Sequence, residues 1–291
     1  MTFDLNGRGA IITGASQGIG LAIAKAYVQA GADVVMCARQ PDALEQAREE
    51  VAALARPGQI VDSVEADVTS AEHVERLVSE SLGILSRIHI LVNNAGVYGP
   101  KGRIEDVDWQ EWVRAIDINL FGSVLSSRAI LKHFRHHRYG KIVQLSGGGA
   151  TNPMMNLSAY AASKAAVVRF AETLALEVAD DNITVNCIAP GAVNTRMLQE
   201  IIDAGPEKVG QQYYQRSLEQ AKKGGVPPET GAALAVYLGS AASDGITGRL
   251  IAAVWDPWET LADHAEEIRK SDVYTLRRIV PKDRGFGWGD R

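Results

Sequence analysis

At 291 residues the chain could form one large domain or two small ones, and 46% hydrophobic with 22% charged residues is the composition of a globular protein with a full core. A formal net charge of -5 argues against a nucleic-acid surface, which would carry a basic stripe, and no apolar run approaches the roughly 20 residues that cross a bilayer. The opening Met-Thr-Phe-Asp-Leu-Asn has no basic stretch followed by an apolar one, so no secretory signal is expected; Cys37 and Cys187, each in an apolar strand-like segment, read as buried reduced thiols, and together these place the chain in the cytoplasm.

In chain order, Arg8 to Thr13 predicts a strand, Ile19 to Ala30 a helix, Asp33 to Ala38 a strand, and Pro41 to Ala55 a helix stopped by Pro57 and Gly58. Further strands are expected at Ile60 to Glu65, Ile88 to Val92, Lys141 to Leu145, Ile183 to Ile188 and Arg249 to Val254. Helical periodicity fills about 71–86, 108–136 and 158–179. The alternation predicts one α/β domain over residues 1–255: a doubly wound parallel sheet of about seven strands, Rossmann-like, with helices on both faces. Ile-His-Ile-Leu-Val and Ile-Thr-Val-Asn-Cys-Ile are nearly all apolar, as strands buried on both faces should be.

The first strand runs into Thr13-Gly14-Ala15-Ser16-Gln17-Gly18-Ile19-Gly20 and directly into a helix. Glycines let a backbone turn tightly and approach a pyrophosphate, while a helix N-terminus presents free N–H groups. Such a turn can also serve only to pack helix on strand. Asp67 after the third strand, Asn93-Asn94-Ala95-Gly96 at the end of the fourth, and Pro190-Gly191 followed by Thr195 after the sixth all fall at carboxyl ends of strands, where ligands bind in open sheets. Cys37-Ala38-Arg39 ends the second strand without an acid; a guanidinium there suits a 2′-phosphate and favours NADP over NAD.

Tyr160 and Lys164 are four apart in a helix-forming run, so they share one face. An ammonium beside a phenol, joined by a positive nicotinamide, lowers the phenol's pKa and equips it to exchange a proton with a substrate oxygen. Ser146, ending the fifth strand, is the natural hydrogen-bond donor to that oxygen.

Taken together, Thr-Gly-x-x-x-Gly-x-Gly, Asn-Asn-Ala-Gly, a lone Asn119, Ser146, Tyr-x-x-x-Lys and Pro-Gly with a following Thr resemble the short-chain dehydrogenase/reductase family in its compact single-domain branch, over about residues 5–255. The resemblance implies an NAD(P)-dependent enzyme that moves a hydride between nicotinamide and a ketone or secondary alcohol. It implies that Gly14, Ser16, Gly18, Ile19 and Gly20 cradle the pyrophosphate and that Asp67 and Val68 hold the adenine. Asn93, Ala95 and Gly96 would line the groove near the ribose, Lys164 would hold the nicotinamide ribose, and Pro190, Gly191, Val193 and Thr195 would lie by the carboxamide. It makes Asn119, Ser146, Tyr160 and Lys164 the catalytic set, with the Asn119 amide ordering a water in a relay from Lys164 to solvent. One departure stands out: Ser146 precedes Tyr160 by fourteen residues, where thirteen is usual, and Gly147 occupies the usual place. A one-residue bulge in Gly147-Gly148-Gly149 is expected to absorb the difference.

Specificity is expected from residues 147–157 and from 194–225, with Met197, Leu198, Tyr213 and Tyr214; their mixed composition points to a moderately polar substrate such as a sugar or polyol derivative. The family's habit implies a dimer or tetramer through the helices at about 108–136 and 158–179. His133, His136 and His137 with Arg135 and Arg138 read as a solvated helix end, not a metal site, and Trp109 and Trp112 as packing residues. Residues 256–291 are unusual for the family; Trp258, Tyr274, Leu276, Ile279, Phe286 and Trp288 predict that this extension packs on the core or on a neighbouring subunit. An isomerase or dehydratase with tightly held cofactor, or a nucleotide-binding regulatory protein on the same fold, is the alternative reading.

Overall fold

The apolar runs form seven strands: β1 (Gly9–Thr13), β2 (Asp33–Ala38), β3 (Val61–Glu65), β4 (Ile90–Asn93), β5 (Gly140–Leu145), β6 (Ile183–Ala189) and β7 (Arg249–Ala252). The computed structural model describes residues 3–288. All neighbouring strands are parallel, in the order β3-β2-β1-β4-β5-β6-β7. The helices are α1 (Gly18–Gln29), α2 (Pro41–Ala52), α3 (Ala71–Leu85), α4 (Trp109–Ile116), α5 (Gly122–His137), α6 (Ser158–Glu177), α7 (Arg196–Val209), α8 (Gln211–Lys223), α9 (Pro228–Gly239) and α10 (Ala265–Arg269). This is the doubly wound parallel fold read from the sequence.

Alternate side chains of each strand feed two cores. Ile12, Met36, Val92 and Leu145 pack with Ile23, Tyr27 and Leu234 of α1 and α9; Ile11, Val35, Leu91 and Ile142 pack with Leu77, Ile130 and Val168 of α3, α5 and α6. The Tyr27 hydroxyl donates to the Ala235 carbonyl at 2.8 Å, tying α1 to α9. The chain winds outward from β1 to β3, then returns to place β4 on the other side of β1. The connections leaving β1 and β4 therefore part to opposite faces, which opens a crevice at the carboxyl ends of the strands.

The single helix expected over 108–136 is in fact α4 and α5 joined by one π-helical turn, Asp117–Phe121. The wider turn carries one extra residue and buries Ile118 and Asn119 against the site described below. Residues 196–223 form the two helices α7 and α8 over the mouth of the crevice, with Gly205 (φ 77°) interrupting α7 before Pro206.

Beyond β7 the extension crosses the sheet's edge. The Leu250 amide donates to the Tyr274 carbonyl at 2.8 Å, so an outer group of an edge strand is paired within the chain. The Arg249 guanidinium gathers the carbonyls of Ile268 (2.6 Å), Ser271 (3.0 Å) and Val273 (2.8 Å). Trp258 is buried between Phe3 and Tyr237 and donates through Nε1 to the Ala253 carbonyl at 3.1 Å. Farther along, Ile279, Phe286 and Trp288 are exposed. Replacing Trp258→Ala removes this anchor and leaves a cavity; a loss of about 3–5 kcal/mol, read as a lower urea midpoint, is expected. Exposed Trp288→Ala should leave the midpoint unchanged.

Candidate active site

The ends of β1 and β4 are stitched together across the crevice. Thr13 Oγ1 accepts from the amides of Asn94 (3.1 Å) and Ala95 (3.2 Å), and Asn94 Nδ2 donates to the carbonyls of Thr13 and Gly14, both at 2.9 Å. Gly14 sits at φ 63°, and a Cβ there would lie 2.8 Å from Ala95 Cα, so the turn needs glycine for both reasons. The resulting crevice spans about 1100 Å³, part of it open to solvent, and is lined by Gly14, Ser16, Gly18, Ile19, Ala95, Gly96 and Thr195, with Arg39, Asp67 and Val68 also on its wall. Gln17, at the start of α1, makes no side-chain cap bond, so the first N–H groups of α1 are not capped by it and face this space. The size and the backbone donors fit a dinucleotide.

Several residues singled out in the sequence stand elsewhere. Asn93 is turned inward, its Nδ2 donating to the Ser123 carbonyl (3.3 Å) and to Ser127 Oγ (3.1 Å); its neighbour Asn94, which the sequence reading passed over, faces the crevice. Consecutive residues at a strand end point opposite ways, and that alternation was the signal. Gly20 packs helix on strand, a Cβ there meeting the Gly14 carbonyl oxygen at 2.3 Å. Pro190 lies against α9 at Gly231, Gly191 turns at φ 88° beside Val254, and Val193 is buried and bridged to Val226, so these three shape the loop that carries Thr195. Gln40 and Ile118 also line the crevice, unanticipated, as does Met197 from the segment expected to set specificity.

Behind Gly96, which lines the crevice, stand the candidate catalytic residues. Lys164 is buried and its Nζ donates to the Leu145 carbonyl at 2.7 Å, the last residue of β5. Burial pulls its pKa down to about 8, with Cys187 beneath it working in the opposite sense. Gly96 is wedged against this ammonium, a Cβ there standing 3.4 Å from Lys164 Nζ and 3.2 Å from Asn119 Oδ1. Tyr160 is one turn before Lys164 on α6, buried, with the ring of Tyr98 at 4.7 Å and the ammonium 5.9 Å from its ring centre. Burial pushes the Tyr160 phenol above its ordinary value, and nearby Tyr213 adds to this, so within the protein alone the phenol is held protonated. The lowering expected from Lys164 does not prevail over burial.

Asn119 is buried beside them. Its Oδ1 accepts from the Val97 amide (2.8 Å) and its Nδ2 donates to the Val97 carbonyl (2.9 Å) and Ser163 Oγ (2.8 Å). These bonds clamp the loop after β4 to α6 and leave one lone pair of Oδ1 unspent.

Ser146 follows the end of β5. The β5–β6 ladder continues in register to it, the Ser146 amide donating to the Ile188 carbonyl at 2.8 Å, and a 3-10 turn follows at Gly148–Ala150. The Ser146 hydroxyl is buried without a hydrogen-bond partner. Gly147 is extended (φ 177°, ψ 173°), and a Cβ there would lie 2.2 Å from the Tyr160 hydroxyl, so the position aimed at the phenol is the glycine.

With this geometry established, the comparisons with known proteins agree. Residues 8–205 match the family model for short chain dehydrogenases, and the chain belongs to that family. Relatives include 3beta-hydroxysteroid dehydrogenase 1 of Eggerthella lenta (37% identical, 84% of this chain and 91% of the relative) and dehydrogenase/reductase SDR family member 4 of Oryctolagus cuniculus (35%, 83% and 90%). Among solved structures, levodione reductase superposes with a TM-score of 0.79 at 26% identity, covering 89% of this chain and 99% of that one. NAD+-bound xylitol dehydrogenase gives 0.78 at 27%, covering 85% and 98%. The protein is an NAD(P)-dependent oxidoreductase.

The buried ammonium makes stability depend on pH. Between about 8 and the ordinary lysine value near 10.4, the unfolded chain binds a proton that the folded chain does not, so the Lys164 contribution to stability rises with pH across that window. In Lys164→Met this rise, on the order of 1–3 kcal/mol, should be absent when urea midpoints of the two proteins are compared from pH 7.5 to 10.

Proposed function

We propose that this enzyme prefers NADP and interconverts a ketone and a secondary alcohol on a compact, largely apolar ring system. The reading rests above all on one observation: the wall beside Tyr160 is built from Leu157, Ile201 and Val209, with Tyr98, Met154, Met197, Tyr213 and Tyr214 packed on them. Apolar and aromatic faces of this kind suit a cyclic substrate better than the polyol that composition suggested. The names of a hydroxysteroid dehydrogenase and levodione reductase among the similar proteins support it, while that of xylitol dehydrogenase supports the polyol.

Arg39 carries the cofactor preference. It lines the crevice beside Asp67, with 3.9 Å between guanidinium and carboxylate and its side chain 46% exposed, a weak pairing that leaves the cation open to a 2′-phosphate. Asp67 spends its other oxygen on Thr69, accepting from the amide (3.0 Å) and hydroxyl (2.8 Å), which fixes the turn after β3. Burial opposes its ionisation, yet the Thr69 bonds and the charges of Arg39 and Arg114 hold its carboxyl below the ordinary value.

The nicotinamide, when bound, supplies or accepts the hydride. The chain's own groups do the rest. The α1 N-terminus and the Gly14–Gly20 turn bind the phosphates, and Lys164 is placed to hold ribose hydroxyls from beneath. Tyr160 gives its proton to the substrate oxygen in reduction and takes it back in oxidation. Asn119 positions the Val97 loop and Ser163, and hence the helix that carries both groups. Exposed Trp109, at the start of α4, and Phe121, on the π-helical turn, suit an oligomer through that face.

Tryptophan-fluorescence titration should give NADPH a Kd at least tenfold below that of NADH. Arg39→Asp should weaken NADPH about 10–100-fold and leave NADH within a few fold. Given NADPH, the wild type should reduce 2-decalone in preference to D-xylulose, and Tyr160→Phe should abolish turnover while still binding NADPH.

A further inference from the structure

We propose that Tyr98 is the partition between the substrate site and a second cavity, and that the ion pair of Lys101 with Glu200 holds it in place and so sets how large a ketone the enzyme accepts. The inference rests on the reading above and adds to it the residues that limit substrate size.

The second cavity lies between the loop after β4 and α7. It spans about 1350 Å³, part of it open to solvent, and its walls include Gly99, Lys101, Asn156, Glu200, Ala204 and Lys208. These residues stand next in the chain to those of the apolar wall at Tyr160. Gly99 follows Tyr98, Asn156 precedes Leu157, Glu200 precedes Ile201, Lys208 precedes Val209, and Ala204 belongs to both. Consecutive residues of a helix point in different directions, so α7 turns Ile201 and Val209 to the apolar cluster and Glu200 and Lys208 to the cavity. The two spaces stand back to back with this wall between them.

Tyr98 is the part of the wall that touches the chemistry. Its ring centre is 4.7 Å from that of Tyr160, inclined at 59°, and the Lys101 ammonium stands 5.8 Å from it. The backbone on either side of Lys101 is pinned. Gly99 sits at φ 73°, and a Cβ there would stand 2.6 Å from the Ala115 Cβ of α4. The Gly102 amide donates to the Asn156 carbonyl at 3.0 Å.

Between these two points Lys101 crosses to α7. Its Nζ lies 3.5 Å from Glu200 Oε2 and donates to the Gly99 carbonyl at 3.4 Å, with its side chain only 14% exposed. The other Glu200 oxygen faces Arg196 Nε at 3.5 Å, one turn back on α7. Among the described residues the Lys101–Glu200 pair is the one salt bridge between this loop and α7. It is shielded enough to hold its geometry better than an exposed pair would. The helix it holds is the element that can yield: α7 is interrupted at Gly205 (φ 77°) before Pro206 and ends at Gly210 (φ 84°). With the pair broken, Tyr98 turns toward the cavity, the two spaces join and the site lengthens.

The test uses the full chain with NADPH and reads the ratio of kcat/KM for 4-cyclohexylcyclohexanone to that for cyclohexanone. Tyr98→Ala should raise this ratio by about tenfold or more. Lys101→Met and Glu200→Gln should each raise it about fivefold, and the double variant by about the same factor as either, because the two changes remove one contact. Lys101→Arg should keep the wild-type ratio. A ratio that moves less than about twofold in Lys101→Met and Glu200→Gln, or a double variant whose effect is the product of the two, overturns the proposal. A second measurement needs no ketone. Cys37 and Cys187 are buried, so in Tyr98→Cys the new thiol is the one open to a maleimide. Adding Lys101→Met should speed its modification about fivefold or more, and an unchanged rate overturns the proposal. Failure of the functional reading is signalled separately, by no reduction of either ketone by the wild type or by full activity in Tyr160→Phe.

Discussion

The site depends on one buried cation. An ammonium removed from water is costly unless a polar partner meets it, and here the carboxyl edge of the sheet supplies one, the Leu145 carbonyl at 2.7 Å from Lys164 Nζ. That contact fixes α6 against the end of β5 and so fixes the height of Tyr160 above the sheet. Gly96 leaves space for the ammonium between the loop after β4 and α6, and Asn119 ties that same loop to Ser163. With a pKa near 8, Lys164 still carries its charge at neutral pH, close to the point of losing it. A group so poised, beside a phenol that burial keeps protonated, fits the proton-transfer role proposed for this pair.

Stability and specificity are carried by different parts of the chain. Two large clusters on either side of the sheet hold the parallel strands, and the extension adds Trp258, Leu261 and Ile268 to one of them. The wall of the substrate site is a third, much smaller cluster, with only Leu157, Tyr160, Ile201 and Val209 fully buried. A roof with so few buried contacts opens at lower free energy than the strands beneath it, and this suits helices that must admit a substrate. The extension crosses the edge of β7 through Arg249 and Tyr274.

The sheet was legible because strands buried on both faces read as unbroken apolar runs, and β2 and β6 were placed almost to the residue. The glycine turn and the Tyr160–Lys164 pair were legible because each works through spacing along a single element. What escaped depends on contacts between distant parts of the chain. Asn93 and Asn94 exchange roles through the alternation at a strand end, and the fixed register of β5 on β6 decides that Gly147, not Ser146, faces the phenol. The π-helical turn at Asp117–Phe121 has no local sequence signal; it exists because Asn119 finds its partners on Val97 and Ser163. Composition over 194–225 could not show that Tyr213, Ile201 and Val209 of α7 and α8 turn inward while most of the polar residues face solvent.

In the proposed mechanism a phenol held protonated by burial is released for proton transfer when the positive charge of an oxidised cofactor arrives beside Lys164. Ultraviolet difference titration of phenol ionisation, with and without saturating NADP+, measures this directly. Cofactor binding should bring the ionisation of one phenol per chain down by about two pH units or more, and the shifted phenol should be missing from Tyr160→Phe. An ionisation curve unmoved by the cofactor, or one that moves equally in Tyr160→Phe, would contradict the account.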